Sequence, residues 1–568
     1  MTDIILTAGT IITMDQDHPR ATAVAVSDGV IVAVGTLAEC QTALPGATVT
    51  DSKAGALLPG FIESHGHPLM SGMATEAPGV SIAPWEAPTW ADALAIFAEN
   101  KAAAAPGQAL IFSGFDALLH QHDFPNAAML DPIFGDTLAV VADNSGHGVY
   151  FPTSVIRHLG WDVNPPVDPI GGYFGRNADG SLDGTAFENT ATMAVFEPLA
   201  AIAGGNPLHQ AMLYFARMSR AGITTAAELT YQTSLKPAYE ALQSMPGAPL
   251  RISLYHVTTA ADCTVAFESV VSPDMLMKQG LKLWADGSPW IGNVAISFPY
   301  LDTPATRIAH IDPTKAGEVA LNYHRDELDA ILDANVPSGL QMSFHVNGDI
   351  GLDVVLDAYE RALTRHKLMG TDHRWRVEHV GAGRKDQFER AKRLGIYVSM
   401  SPFQFYYWGD LLDGQMFAPE FGSQWQSFRA AFDSGVEPSF HNDGAVSPPT
   451  PLINIQAAVT RRTRSGALHG ENQAISLHEG LMAETINAAR ILHREDLVGS
   501  ITVGKKADFV ELSQDPYDVD PRNLAAEVLV LGTWLGGARI DLDTYLGEST
   551  QVDHSVHDHL RSHVKHSC

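Results

Sequence analysis

Between residues 61 and 490 the chain switches repeatedly between short apolar runs and segments of helical periodicity. The runs include Leu138-Ala142, Thr224-Leu229, Leu250-His256, Leu281-Ala285, Gln341-His345, Arg374-His379, Tyr397-Ser401 and Pro438-His441. Between them lie Pro207-Ala221, Pro237-Ser244, Tyr323-Ala334, Leu352-His366 and Arg384-Leu394. A strand that is apolar along its whole length is covered on both faces, and strand–helix alternation builds a parallel sheet with helices outside it. Over this length the pattern predicts an α/β fold of the (β/α)8 TIM-barrel type.

The two ends have a different texture. Residues 1 to about 58 read as short strands and turns, with Ser27-Asp28-Gly29 marking a hairpin between Val/Ala-rich runs. Strand texture returns after about 495, in Ser500-Leu512 and Glu527-Leu531. The simplest arrangement lets both ends meet in one small β domain beside the barrel. The final segment holds five histidines among charged residues, has no core periodicity, and reads as a surface tail.

Charge narrows the function classes. Lys+Arg 36 against Asp+Glu 65 leaves a net −29, a field that repels nucleic acid and anionic lipid, and no basic run offsets it. Neither nucleic acid nor membrane is therefore expected as a partner, and the charge balance itself specifies no substrate. Cys40, Cys263 and Cys568 follow no paired spacing, so no disulfide framework is expected. The first residues lack the basic start and apolar core of a secretory leader, and no apolar run reaches the ~18 residues of a membrane span. These features predict a cytoplasmic protein.

Polar residues sit at one phase of the alternation. In Leu57-Leu58-Pro59-Gly60-Phe61-Ile62-Glu63-Ser64-His65-Gly66-His67 an apolar strand ends in two histidines, two residues apart. On a strand such residues share a face, so both imidazoles can aim at one divalent ion. Two other His-x-His pairs, His120/His122 and His557/His559, do not end a buried-strand pattern. Lys282, His345, His379 and Asp443 each lie at or just past the C-terminal end of a later apolar run. Taken singly, each has a plain structural reading, as a core histidine, a snorkelling lysine or a turn aspartate. Together they would converge on the face where barrels build their sites.

These segments resemble the metal-dependent hydrolases of the amidohydrolase superfamily, in particular the amidohydrolase-3 group that includes N-substituted formamide deformylases. The likeness runs through Leu58-His67, Lys282-Pro289, His345-Asp349, Arg376-His379, His441-Asp443 and Gly499-Asp508, nearly the whole chain in order. It implies a TIM barrel over 59–494, a β-sandwich built from 1–58 and 495–550, and a tail at 551–568. It implies two divalent metal ions, zinc by default for histidine-rich ligation. His65 and His67 would hold one ion, His345 and His379 the other, with Lys282 N-carboxylated and bridging both. Asp443 would bind the first ion and act as base toward a metal-activated hydroxide that cleaves an amide, N-formyl or N-acyl bond. A homodimer is a family expectation.

Other readings stay open beside this one. A mononuclear aminohydrolase usually carries Glu three residues after the third histidine, whereas here that position is Gly348 and the acid is Asp349. Ester or lactone hydrolysis on the same fold is a further alternative, and a non-catalytic metal-binding protein the remotest. Relatives often show Ser-Asp-Ala-Pro around the last aspartate, where this chain has His441-Asn442-Asp443-Gly444-Ala445; the aspartate is retained, and the new neighbour His441 either tunes the site or ends the strand. His147 matches a position near substrate, or is a loop histidine capping a helix. The run Phe403, Tyr406, Tyr407 and Trp408 would lie on a loop at the catalytic face and, with Trp284 and Trp290, either wall an apolar pocket or pack on the rim. Glu228 ends another strand and either reaches the site or supports it.

Overall fold

The computed structural model describes residues 3–169, 172–257 and 266–547. The histidine-rich tail at 551–568, with His557/His559, and Cys263 and Cys568 lie outside the described residues.

Eight parallel strands form the barrel: β1 Phe61–Gly66, β2 Ile223–Tyr231, β3 Arg251–Val257, β4 Leu276–Trp284, β5 Gln341–Val346, β6 Arg376–His379, β7 Tyr397–Met400 and β8 Ser439–Phe440. They pair in sequence order from β1 to β8. Every residue of β1, β5 and β6 is buried, polar ones such as Glu63, Ser343 and Arg376 included, because helices cover the outside and side chains fill the inside. The helix Asp349–Arg365 shows how the outer layer forms. Leu352, Val355, Leu356, Tyr359 and Leu363 recur at three- and four-residue steps and are all buried against the sheet. Each such side chain contributes about 1.5–3 kcal/mol by leaving water. The next helix, Lys385–Leu394, buries Phe388, Ala391 and Leu394 and stops at Gly395, whose φ of 72° suits a residue without a Cβ.

The ladder is open between β8 and β1, where the first and last strands meet. Side chains close this seam. The Ser64 hydroxyl of β1 donates to Phe440 O of β8 at 3.0 Å and lies 3.0 Å from both Ser399 Oγ of β7 and Ser439 Oγ of β8. Just beyond β8, Asp443 N donates to His65 O at 3.2 Å.

Strands from both chain ends lie in one mixed eight-stranded sheet. Phe509–Leu512 pairs antiparallel with Ala56–Pro59, placing Val510 opposite Leu58. A buried ion pair ties this sheet to the barrel, with Asp508 accepting from Arg251 Nε at 2.6 Å and from its Nη2 at 2.9 Å.

The span between β1 and β2 departs from the expected alternation. Residues 79–187 contain a separate six-stranded sheet, ordered Tyr173–Arg176, Leu182–Phe187, Gly148–Tyr150, Ala139–Asp143, Leu110–Phe115 and Gly79–Ser81. The Leu138-Ala142 run is indeed a strand, but it belongs to this insert and not to the barrel. A short apolar run specifies strand without specifying which sheet will bury it. Asn144 pins the insert to the barrel mouth by donating from Nδ2 to Val446 O at 3.1 Å. No helix among the described residues is long and apolar enough to cross a membrane.

Candidate metal centre

The C-terminal ends of β1, β4, β5 and β6, with the turn after β8, bring the six expected ligands together. His65, His67 and Asp443 place ligand atoms within 4.8 Å of one another, as do His65, His379 and His441. Asp443 Oδ1 lies 3.2 Å from His67 Nε2 and 3.5 Å from His65 Nε2, and its Oδ2 lies 3.9 Å from His379 Nδ1. The His345 ring sits 4.5 Å from that of His379. Lys282 Nζ is 3.1 Å from His65 Nε2 and 5.1 Å from the centre of the Trp284 ring.

Two of these residues reach the cluster through unusual backbone. In a regular strand Glu378 and His379 would point to opposite faces. His379 has φ of 69° and Val380 of 45°, so the chain leaves the strand abruptly and turns the imidazole inward. Asp443, at φ 61°, makes a similar turn after β8. Left-handed non-glycine residues cost about 1–3 kcal/mol each and persist where the surroundings over-determine them.

Hydrogen bonds orient the rings. His65 Nδ1 donates to Glu378 Oε2 at 2.8 Å, which leaves its Nε2 lone pair facing the cluster. Glu378 is in turn gripped by Arg376, at 2.5 Å from Nε and 2.7 Å from Nη2, and accepts from Ser343 Oγ at 2.7 Å. His345 Nε2 donates to Gly287 O at 3.0 Å, so its Nδ1 carries the free pair. A ligand imidazole whose other nitrogen is anchored in this way is fixed in tautomer and direction. Glu228 stands behind His67, with Oε1 3.7 Å from its Nδ1. Behind Asp443, Glu63 accepts from Asn442 N at 2.9 Å and from its Nδ2 at 2.6 Å. Asp286 steadies the β5 end by accepting from Asn347 N at 2.9 Å and Gly348 N at 2.8 Å.

The electrostatics suit a cation. Burial holds His65 and His379 well below the ordinary imidazole range and lowers His345 to about 3, so these rings are neutral. Burial likewise lowers Lys282 to about 8. Burial opposes the ionised form of Asp443, but the His67 hydrogen bond and the nearby imidazoles outweigh it and hold the carboxyl well below its usual value. His67 is the exception among the rings. Burial lowers it, yet Asp443 and Glu228 raise it to about 9, so a proton stands where two carboxylates face one imidazole. His67 Nδ1 and His379 Nε2 are buried without a hydrogen-bond partner. Neutral imidazoles with free lone pairs, an ionised carboxylate and orphaned buried nitrogens together match the donor set of a divalent ion.

The remaining expected residues fall in different places. His147 lies at the turn between two insert strands and is bonded through Nδ1 to Glu188 Oε2 at 3.0 Å. Burial lowers its pKa, but Glu188 reverses this and raises it overall. The aromatic run is not a loop; it forms the helix Pro402–Leu412. Phe403 and Trp408 are 0% exposed, and Tyr406 and Tyr407 each 6%. Trp408 stacks on Trp290 at 4.5 Å and donates from Nε1 to Asp116 at 2.9 Å. These side chains are core, because a helix this apolar all round is buried all round. Trp284 alone of the six aromatics is partly exposed and also contacts a cluster residue. The His120/His122 pair is structural, with His120 bonded to backbone at Asp116 and Ala87 and His122 stacked on Trp90. His441 does end its strand, but it also points inward at 0% exposure.

Glu378, Arg376 and Glu63 were not singled out by the sequence pattern. Their signal was the i, i+2 phase that puts Arg376 and Glu378 on one strand face, and Glu63 on the same face as His65.

A model of the amidohydrolase family matches residues 48–541, so the chain belongs to that family and is a hydrolase acting on carbon–nitrogen bonds other than peptide bonds. An N-substituted formamide deformylase of Arthrobacter pascens is 26% identical over 552 residues, covering 94% of this chain and 98% of its own. The Arabidopsis thaliana protein LONG AFTER FAR-RED 3 is 25% identical over 562 residues, covering 95% and 91%. An uncharacterized metal-dependent hydrolase from Pyrococcus horikoshii OT3 has a crystal structure that superposes with a TM-score of 0.70 at 21% identity, covering 92% of this chain and 99% of that one. At that identity the likeness shows the fold.

Proposed function

We propose that this amidohydrolase-family chain cleaves the C–N bond of a small amide-like molecule, an N-formyl or N-acyl amine, with the help of two divalent ions, zinc by default. His65 and His67 would hold one ion and His345 and His379 the other, with Lys282 as an N-carboxylated lysine between them and Asp443 on the first. Bound there, divalent cations make water acidic enough to attack at neutral pH and polarise the carbonyl that is attacked. The observation that carries the reading is the ionised Asp443 carboxylate, set 3.2 Å from His67 and 3.5 Å from His65.

The chain's own groups do the rest. Asp443 Oδ takes the proton of the attacking water and delivers it to the leaving nitrogen, so that one water becomes the acid's oxygen and the amine's hydrogen. His147, bonded to Glu188, which raises its pKa, donates a hydrogen bond to the substrate carbonyl or leaving group. Trp284 lines the substrate side. The same reading takes the two chain ends, 1–58 and 495–550, as one β-sandwich domain beside the barrel. Deamination by a mononuclear site is disfavoured because Asp349 is already occupied, accepting from Ser297 N at 2.8 Å, Ser297 Oγ at 2.6 Å and Arg384 Nη1 at 2.6 Å. Deacylation of N-acyl amines leaves a carboxylic acid and an amine, whereas deamination leaves ammonia.

Elemental mass spectrometry on protein lacking residues 551–568 tests the reading. Two metal equivalents per chain, falling in Lys282→Ala, together with acid and amine release from a panel of formamides, is the expected result. One equivalent insensitive to Lys282 transfers the site to the mononuclear class, and metal-free protein that still turns over removes the mechanism.

A further inference from the structure

The contacts of His441 form a continuous buried line. Its Nδ1 is 2.7 Å from Ser399 Oγ, and its Nε2 is 3.0 Å from His379 Nδ1. Ser399 Oγ is 3.0 Å from Ser64 Oγ, and Ser64 is 3.0 Å from Phe440 O. All four side chains are at most 1% exposed, so water does not complete their hydrogen bonds, and Ser439 Oγ, also 3.0 Å from Ser64, is the one further partner of that hydroxyl.

The direction of every hydrogen bond follows from one fixed end. A carbonyl only accepts, so the single Ser64 hydrogen goes to Phe440 O. With every contact of the line made as a hydrogen bond, Ser64 then accepts from Ser399, as it can also from Ser439, and this spends the single Ser399 hydrogen. Ser399 can therefore only accept from His441, placing a hydrogen on His441 Nδ1. His441 Nε2 is left as an acceptor, and His379 Nδ1 donates to it. The remaining nitrogen, His379 Nε2, carries its lone pair outward, and it is the buried nitrogen that has no partner.

We propose that His441 is a positioning residue, which through the Ser64–Ser399–His441 line holds His379 in the tautomer whose free Nε2 faces the second metal position. The assignment rests on the metal-centre reading above, but the proton positions themselves do not. The line also crosses the barrel seam, because Ser64 is on β1, Ser399 on β7 and Phe440 on β8. The side chains that close the barrel are thus the ones that set a ligand's tautomer.

Neutron diffraction on the metal-free full chain tests the line directly. Deuterium on His379 Nδ1 and His441 Nδ1, with none on His379 Nε2, is expected; deuterium on His379 Nε2 overturns the proposal. A competition titration with Zn(II) tests its consequence. His441→Met fills the space without an acceptor and is expected to weaken zinc binding about 10–100-fold, the usual loss for a ligand's supporting partner. His441→Gln, which keeps an acceptor, restores most of it. Wild-type affinity in His441→Met would reduce His441 to packing, and equal losses in both variants would make it a ligand; either outcome overturns the assignment. Wild-type protein that takes up no zinc would end the metal-centre reading while the neutron map still decides the line.

Discussion

The two halves of the ligand cluster are supported by opposite kinds of partner. On the β1 side, His65 leans on the Glu378 carboxylate and His67 faces both Asp443 and Glu228. On the β5–β6 side, His345 leans on a backbone carbonyl and His379 on the neutral imidazole of His441. Burial holds that imidazole at about 3, far from protonation. Anionic partners raise a ligand's basicity and favour a cation beside it; neutral ones fix direction without adding charge. On the proposed reading, one half would hold a cation tightly and the other would aim a ligand accurately, with Lys282 between them and Asp443, within 3.9 Å of His379 Nδ1, reaching toward both.

The largest expected effect comes from the group both halves share. Asp443→Asn keeps the shape and removes the base, and kcat should fall about 10²–10⁴-fold while elemental analysis finds metal still bound. Near-normal turnover in that variant would remove Asp443 as the proton carrier. Next in size is the carboxylate that distinguishes the β1 half. Glu378→Gln strands the fully buried Arg376 without its counter-charge, and chemical denaturation of the metal-free protein should show a loss of about 3–5 kcal/mol. His441→Gln should cost far less in the same assay, and equal losses would erase the contrast.

A chelator should sharpen it kinetically. With two zinc ions loaded, release should be biphasic, the β5–β6 ion leaving about 10–100-fold faster than the β1 ion, in proportion to their supporting partners. His345→Ala should abolish the fast phase and spare the slow one. The smallest effect concerns pH. Lysine reacts with carbon dioxide only as the neutral amine, and burial lowers Lys282 to about 8 from the ordinary 10.5. Below that value it is an unreactive ammonium; above it the amine is free. At constant dissolved carbon dioxide, ¹³C incorporation into metal-free protein should rise about tenfold from pH 7 to pH 9 and level off. A rate still climbing steeply at pH 9 would mean the lysine is not desolvated.

The strand ends were readable because a parallel barrel puts all its C-terminal ends on one face, so a polar residue after each apolar run has one destination. His65, His67, Lys282, His345, His379 and Asp443 are picked out this way, and the barrel gathers them at one mouth. The aromatic helix Pro402–Leu412 failed the same logic: proximity in sequence to a strand end does not say whether a ring faces substrate or core, and Phe403 and Trp408 are core. Leu138-Ala142 shows a related failure, since an apolar run looks alike in either sheet.

Strand–helix alternation, burial on both strand faces, and which residue types stand at the mouth follow from local sequence alone, because periodicity and apolarity are properties of neighbouring residues. The tautomer of His379, the inward role of His441 and the pairing of Glu378 with His65 do not. They arise between residues 62 to 313 positions apart, and depend on φ values of 69° and 61° at His379 and Asp443. Only closure of the barrel brings β1, β6, β7 and β8 within hydrogen-bonding distance, and a hydrogen bond has no direction until its last acceptor is in place.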